Sequence, residues 1–195
     1  FLLGILHTGY AQNPTYTLDV NDLNVGDSSG VDVYDFDIDM TWTNSGVAPN
    51  FEFAGAQYFF DFNKNVIENG SSLQMRILAS DLPLNMQPRN PTVYTVTTPG
   101  QLRWAVNTFP GAGSGFNMPA SVPVKIVRAR IKVIGGDGRF GYAPMDLVWR
   151  SALPNPFTRV FAYVGTTNTD ISTPPTHTIS INNDPLGGSY IYSNF

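Results

Sequence analysis

The 195-residue chain is 42% apolar and carries a net charge of −4, with only 13% charged residues and no cysteine. This apolar content excludes a disordered chain, and the length suits one domain with a sizeable core. The missing cysteines exclude disulfides and thiolate metal sites, and no apolar run reaches the roughly 18 residues of a membrane span. Polar residues such as Asn, Thr and Ser take the place of charges. That composition favours an extracellular, secreted or cell-surface protein, and the lack of disulfides favours a bacterial one.

The N-terminal segment FLLGILHTGYAQNP (residues 1–14) is uncharged and mostly apolar. Gly9 and Ala11 have the spacing that a signal peptidase recognises, which favours a signal-peptide remnant. If it is retained, the same segment can act as an extended arm that packs against another subunit. Both interpretations separate residues 1–14 from a domain at residues 15–195. The arm's apolar contacts would come from Phe1, Leu2, Leu3, Ile5 and Leu6.

Two segments show alternation of apolar and charged residues with opposite sign. VDVYDFDIDMTW (residues 31–42) places large apolar side chains on one face and aspartates on the other, and PVKIVRARIKVI (residues 123–134) does the same with bases. We expect the two strands to be neighbours in one sheet, with acids and bases pairing across a solvated face. The side chains concerned are Asp35, Asp37 and Asp39 on the first strand and Arg128, Arg130 and Lys132 on the second.

Alternation continues through the rest of the chain, and no stretch of a dozen residues has helical spacing. FEFAGAQYFFDF (51–62) has aromatic residues on both faces and is expected to be a central strand. About nine or ten strands without helices predict an all-β fold, a single β-sandwich with an extended N-terminal arm. The remaining candidate strands are residues 72–78, two strands within 93–109 joined at Pro99-Gly100, and residues 145–150, 158–165, 177–182 and 189–195.

The acid-rich segment DVNDLNVGDSSG (residues 19–30) is expected to be a loop that could contribute to a calcium site. It does not match an EF-hand, because Leu23 occupies the third ligand position. Alternate aspartates on a strand lie ~6.6 Å apart, too far to share one Ca²⁺ without help from a loop. Pairing with the basic strand, or plain solvation, is therefore favoured over calcium, and we assign no metal site.

Residues that carry chemistry are few. The only histidines are His7 and His177, and the chain has no metal-binding histidine pair, nucleophile elbow or phosphate-binding loop. The segment GGDGRFG is predicted to be a hairpin turn. No pair of carboxylates has the flanking aromatic residues that a glycosidase site needs. We therefore assign no catalytic residue and no cofactor. The three tryptophans occupy inward positions of their strands, which favours a core role over a sugar-stacking platform.

The segment FEFAGAQYFFDFNKNVIENG resembles the cohesin signature, in which an aromatic strand ends in "yD-x-n-v-l". In this chain that motif corresponds to residues 60–67, FDFNKNVI, and the later VKIVRARIKV resembles the family's "l-a-t-i-x-f-k-v" strand. The resemblance implies a cohesin-like jelly-roll sandwich over residues 15–182, of the carbohydrate-binding-like class found in secreted bacterial surface proteins. The chain departs from cellulosomal cohesins in its hairpin PRNPTVYTVTTPGQLRW and its apolar N-terminus.

Three functional hypotheses follow. The leading one is a non-catalytic structural protein of a bacterial surface that self-associates, into filaments if the N-terminal arm adds a strand to a neighbouring copy. The alternatives are a carbohydrate-binding module and a cohesin-type receptor for another protein. Expected partners are copies of the chain, other surface proteins or polysaccharide. Neither nucleic acid nor a membrane span is expected.

Overall fold

A computed structural model describes residues 12–172 and 176–181, without the side chains of residues 22 and 23. Twelve β-strands and two short 3-10 helices, Lys64–Val66 and Leu84–Met86, make up the regular structure of these residues. In chain order the strands are β1 (Tyr16–Asp27), β2 (Asp32–Trp42), β3 (Glu52–Phe62), β4 (Ser71–Ala79), β5 (Arg89–Tyr94), β6 (Gly100–Val106), β7 (Phe116–Asn117), β8 (Val124–Gly135), β9 (Val148–Trp149), β10 (Arg159–Val164), β11 (Thr167–Asp170) and β12 (Thr176–Ile179).

The strands form two sheets. A five-stranded sheet has the order β12-β1-β2-β8-β4, and a seven-stranded sheet has the order β11-β10-β3-β6-β5, with β7 and β9 pairing with the two ends of β3. Within these sheets β1 and β12 run parallel, and the other paired strands run antiparallel. The predicted all-β sandwich is confirmed. The described strands outnumber the predicted nine or ten because β1 was expected to be a loop and because β7 and β11 are too short to show alternation.

The core lies between the two sheets and is rich in aromatic rings. Phe60 of β3 is its centre: its ring stacks on Trp104 at 5.5 Å between centroids, meets Phe36 edge-on at 6.2 Å, and lies 3.9 Å from Trp149. All four side chains are buried. Each buried aromatic contributes on the order of 1.5–3 kcal/mol by removal from water, and favourable ring geometry adds to this. The alternation read from the sequence therefore assigned these residues correctly to the interior.

The expected loop at residues 19–30 is instead mostly strand. β1 extends to Asp27 and pairs with β2 along its length. Tyr16, Leu18 and Val20 alternate into the core, but a register irregularity between Asn21 and Asn24 interrupts the alternation. That bulge hides the second half of the strand from a period-2 reading. Two other predictions, the N-terminal arm and the strand at residues 189–195, lie outside the described residues.

Gly55 lies where β3 passes close to its neighbours. A Cβ atom at this position would lie 2.7 Å from the carbonyl oxygen of Val106 and 3.0 Å from the ring of Phe109. The pairing of β10 with β3 is irregular at the same place, between Phe161 and Ala162. Because the nearest atom belongs to the backbone, a side chain at residue 55 would force the sheet to shift.

We predict that Gly55→Ala lowers the free energy of unfolding by about 1–3 kcal/mol, the usual cost of overpacking. The matched control is Gly26→Ala, also in a strand, where no atom lies within 4 Å of the added Cβ. This control should be neutral or stabilise by up to about 1 kcal/mol, because it reduces the chain entropy of the unfolded state. Urea denaturation of both variants measures the difference, and equal effects would show that the close approach at Gly55 is unimportant.

Candidate functional site

The aspartates of β2 and the arginines of β8 form paired contacts on the outer face of the five-stranded sheet. Arg130 donates from Nε and Nη2 to the two oxygens of Asp35, at 2.7 Å each. Arg128 donates in the same way to Asp37, at 2.6 and 3.0 Å, and Lys125 Nζ lies 2.6 Å from the same carboxylate. Two-pronged contacts of this kind fix the geometry of both partners. Hydrogen bonding to Asp37 raises the pKa of Lys125, and hydrogen bonding to Asp35 raises the pKa of Arg130.

The structure does not bring Lys132 to an aspartate, so this part of the expected pairing is wrong. Lys132 lies opposite Val33, and Asp39 lies opposite Lys125. The register shifts between Ile38 and Asp39, so β8 has one extra residue there. Asp39 instead accepts a hydrogen bond from the Asn21 amide at 2.9 Å.

The expectation of a solvated acidic face also requires correction. Asp35 is 5% exposed and Asp37 is 1% exposed, because the arginine and lysine side chains cover them. Removing one partner from such a covered pair leaves a desolvated charge without its counterion, which is costly. These ion pairs therefore belong to the structure of the sheet as much as to its surface.

The outer face of the seven-stranded sheet carries an arginine stacked against aromatic rings, which sequence analysis did not identify. The guanidinium of Arg103 lies 3.6 Å from the ring centroid of Tyr94 and 5.7 Å from that of Phe59. The amide oxygen of Gln101 accepts from Arg103 Nε at 3.2 Å and holds the guanidinium in place. The only sequence signal for this cluster is that Tyr94, Gln101 and Arg103 occupy outward positions of adjacent strands.

A second group of aromatic side chains extends this face over β10. Phe109 and Phe161 contact each other edge-on at 5.5 Å, above the backbone at Gly55. Nearby, the Arg159 guanidinium lies 4.6 Å from the ring centroid of Phe157. These contacts lie on the outer side of β5, β6, β3 and β10, and we call the side chains that make them the aromatic face. Its members are Phe59, Tyr94, Arg103, Arg159 and Phe161 from the strands, and Phe109 and Phe157 from the adjoining loops.

The loop between β9 and β10 projects beside the aromatic face and is held by one arginine. Arg150 donates to both oxygens of Asp61, at 3.0 and 3.1 Å, and to the carbonyl oxygens of Pro156 and Pro154. These bonds fix the loop from within. Its tip presents Leu153, which is 73% exposed. Leu153 is therefore an exposed apolar side chain at the tip of a loop whose conformation is held by hydrogen bonds.

The residues of the cohesin-like motif have structural roles here. The Asn63 side chain accepts from the Asn65 backbone N–H at 3.0 Å and donates to the Pro144 carbonyl at 3.1 Å. Lys64 donates to the Thr95 carbonyl, and Asp61 is engaged by Arg150. A shallow groove of about 600 Å³ lies over these residues. The hydrogen bonds of its polar side chains are therefore largely made within the protein.

The tryptophans, His177 and the acid-rich segment do not form a ligand site of the kinds considered above. Trp42, Trp104 and Trp149 are 7%, 3% and 9% exposed, so none offers a ring face for sugar stacking. Within residues 12–172 and 176–181, no group of three or more His, Cys, Asp or Glu side chains could hold a metal ion. No helix in the same residues is long and apolar enough to cross a membrane.

His177 of β12 is a largely buried imidazole. Its Nδ1 lies 2.7 Å from the Ser151 hydroxyl, and its ring lies 5.0 Å from that of Trp149 and 6.0 Å from that of Tyr16. The Nε2 atom is buried without a hydrogen-bond partner among the described residues. Burial lowers the pKa of His177 to about 4. The geometry is that of a neutral packing residue, since no carboxylate of the described residues contacts the ring.

Comparison with known proteins gives similarity to solved structures alone. No family model and no curated protein matches the sequence. Among solved structures, the chain is similar to a cohesin module from a family 33 glycoside hydrolase of Clostridium perfringens ATCC13124. The identity is 11% over 84% of this chain and 97% of that chain, with a TM-score of 0.34. A similarity at this level carries no argument about binding, and the sandwich architecture rests on the strand pairing itself.

We predict that Asp37→Asn lowers the free energy of unfolding by about 1–3 kcal/mol, because Arg128 and Lys125 lose their shared counterion. The partial exposure of both bases keeps this below the cost of a fully buried pair. Asp39→Asn is the control and should cost less than about 1 kcal/mol, since Asp39 is half-buried and accepts from a neutral amide. Chemical denaturation at pH 7 compares the two. Similar losses would mean that the covered ion pairs contribute no more than a surface contact.

The second prediction concerns pH. Because the pKa of His177 is about 4 in the folded protein and ~6.5 in the unfolded chain, the unfolded state binds more protons between these values. His177 therefore costs no stability above about pH 6.5, and stability falls as pH decreases toward 4. Between pH 7.5 and 5 the loss should be about 1–2 kcal/mol.

In His177→Gln, the fall in unfolding free energy between pH 7.5 and 5 should be smaller than in the wild type by that amount. The other titrating groups are common to both proteins and cancel in this difference. Parallel stability curves for the two proteins would show that His177 is not desolvated.

Proposed function

We propose that this chain is a non-catalytic, exported protein-binding module of a bacterial surface. The observation that carries the proposal is the aromatic face, where Arg103 is fixed between Tyr94 and Phe59. Protein interfaces are enriched in aromatic residues and arginine, and such residues supply most of the binding energy when a partner desolvates them. The fixed side chains also reduce the entropy lost on binding.

The exposed tip of the loop between β9 and β10 supports a protein partner rather than a polysaccharide. Leu153 and the neighbouring prolines offer an apolar projection that a protein groove can cover. Carbohydrate binding would instead favour exposed, coplanar rings, whereas the three tryptophans are buried in the core. The carbohydrate-binding alternative is therefore the weaker of the two.

Self-association is the specific form of this function that the sequence favours. The apolar residues Phe1 to Leu6 would expose a patch near the largest that monomers tolerate. β4 is a nine-residue edge strand, and a cleft of about 380 Å³ separates it from β5. Val93 and Ile134 line this cleft beside the polar Ser72, Gln74 and Thr92, so an added strand would be held chiefly by backbone hydrogen bonds to β4. Repeated addition from copy to copy gives a filament.

Sedimentation velocity of the full chain over a range of concentrations tests this proposal. We expect concentration-dependent association, which deletion of residues 1–10 abolishes while leaving a folded domain. Tyr94→Ala combined with Arg103→Ala should weaken association if the aromatic face also contributes. Tyr142→Ala, at an exposed ring outside that face, serves as the control and should have no effect.

The outcomes separate the parts of the proposal. A chain that stays monomeric at all concentrations contradicts self-association. Association that survives the deletion contradicts the arm, and association that survives the double variant contradicts a role for the aromatic face in self-association. If the deletion unfolds the domain, as judged by circular dichroism, the segment belongs to the fold instead.

A further inference from the structure

The five-stranded sheet carries a group of bases at its β4 edge that the ion pairs with β2 neutralise only in part. Arg76 of β4 lies directly opposite Arg130 of β8, and Lys132 lies opposite Gln74 on the same face. Directly opposed like charges destabilise a sheet. We call Arg76, Arg130 and Lys132 the basic cluster.

The nearby carboxylates Asp35, Asp37 and Asp39 do not pair with Arg76 or Lys132. Asp35 uses both of its oxygens for Arg130, Asp37 binds Arg128 and Lys125, and Asp39 accepts from Asn21. Among the described side chains, Arg76 and Lys132 form no ion pair. The basic cluster therefore has three cations and one carboxylate, in a protein whose net charge is −4.

Both arginines of the basic cluster keep guanidinium nitrogens that no hydrogen bond within the described residues uses. Arg76 uses Nε to bond the Gln74 amide oxygen at 3.0 Å, which leaves its two terminal nitrogens for a ligand. Arg130 uses Nε and Nη2 for Asp35, which leaves Nη1. Opposite residues in an antiparallel pair have Cα atoms ~4.5–5.5 Å apart, and alternate residues along a strand are ~6.6 Å apart. At this spacing of their Cα atoms, the three bases lie side by side on one face of the sheet.

We propose that the basic cluster binds a carboxylate-bearing polysaccharide. Guanidinium groups bind carboxylates through two parallel hydrogen bonds, and a polymer with regularly spaced carboxylates can engage several cations at once. A polysaccharide is favoured over an acidic protein because the outward neighbours Gln74, Arg128 and Asp35 are polar or charged. The exposed apolar side chains of this face, Leu78 and Ile134, lie on either side of the basic cluster rather than together at its centre, where a protein interface places its apolar anchor.

An edge-protecting role alone does not explain the cluster. A single charged residue on an exposed edge strand discourages pairing with other chains, and Arg76 fits that role. Lys132 and Arg130 are on an interior strand of the sheet, where edge protection does not apply. An anion between Arg76 and Arg130 would remove the repulsion between these two bases.

Isothermal titration of the full chain with polygalacturonate, at low and at physiological ionic strength, tests the proposal. We expect binding that weakens as salt screens the charges. Arg76→Gln combined with Lys132→Gln should lower the affinity by about tenfold or more, as expected when two charge-assisted contacts are lost. The control is Arg89→Gln, an exposed arginine on the edge strand β5 that bonds carbonyl oxygens, and its affinity should stay within about twofold of the wild type.

Other polymers and a stability measurement complete the test. Neutral dextran should not bind, and poly-L-glutamate and duplex DNA should bind more weakly than polygalacturonate. Failure of polygalacturonate to bind at low salt, an equal loss of affinity in Arg89→Gln, or tighter binding of polyglutamate or DNA would overturn the proposal.

Thermal unfolding of each variant without polymer distinguishes lost binding from lost structure. Both substituted side chains lie on the sheet surface, so we expect the variants to stay folded. Polygalacturonate should also raise the melting temperature of the wild type more than that of the double variant.

Discussion

The covered ion pairs between β2 and β8 hold the two central strands of the five-stranded sheet in one register. A slip by one residue would turn the core side chains of β2 to the outside, and burial forbids this. A slip by two residues would keep every side chain on its own face, so apolar burial alone opposes it weakly. The two-pronged contacts of Arg130 with Asp35 and of Arg128 with Asp37 do discriminate. A two-residue slip in one direction would take Asp37 away from both arginines, and in the other direction it would set Lys132 opposite Asp35 in place of the two-pronged Arg130. Register in this sheet therefore rests on charge as well as on hydrophobicity.

Strand identity followed from the sequence because alternation records which face each residue occupies. The period-2 pattern at residues 31–42 and 123–134 identified β2 and β8, their inward residues and the opposite charge of their outward residues. The exact partners did not follow. Alternation gives the face of each residue but not the register of the pairing, and the observed register puts Lys132 opposite Val33; a bulge after Ile38 then puts Asp39 opposite Lys125. The second half of β1 was missed because the irregularity between Asn21 and Asn24 interrupts its alternation.

The aromatic face was beyond sequence reasoning for a different reason. Its members come from four strands and two loops, and their proximity depends on the order of strands in the sheet rather than on local spacing. Arg150 is a similar case, since its four hydrogen bonds reach Asp61 on another strand and carbonyl groups of its own loop. A pattern within one segment cannot encode contacts of this range. The outer faces of the two sheets therefore differ. The face of the five-stranded sheet carries charged side chains, most of which pair with one another, whereas the face of the seven-stranded sheet carries aromatic rings and the loop between β9 and β10.

The parallel pairing of β1 with β12 has a mechanical consequence. The two strands run side by side in the same direction, with Thr17 beside Thr176 and Val20 beside Ile179. The chain therefore enters both strands at the same end of the sheet, and β12 runs beside the first third of β1 in the direction of the other end. A tensile load between the start of β1 and the end of β12 would shear the strands along their length, so their hydrogen bonds would share the force at the same moment. Peeling, in which bonds break one by one, would need the load at the same end of both strands. The direction of these two strands thus makes this edge of the sheet suited to bearing tension along the chain.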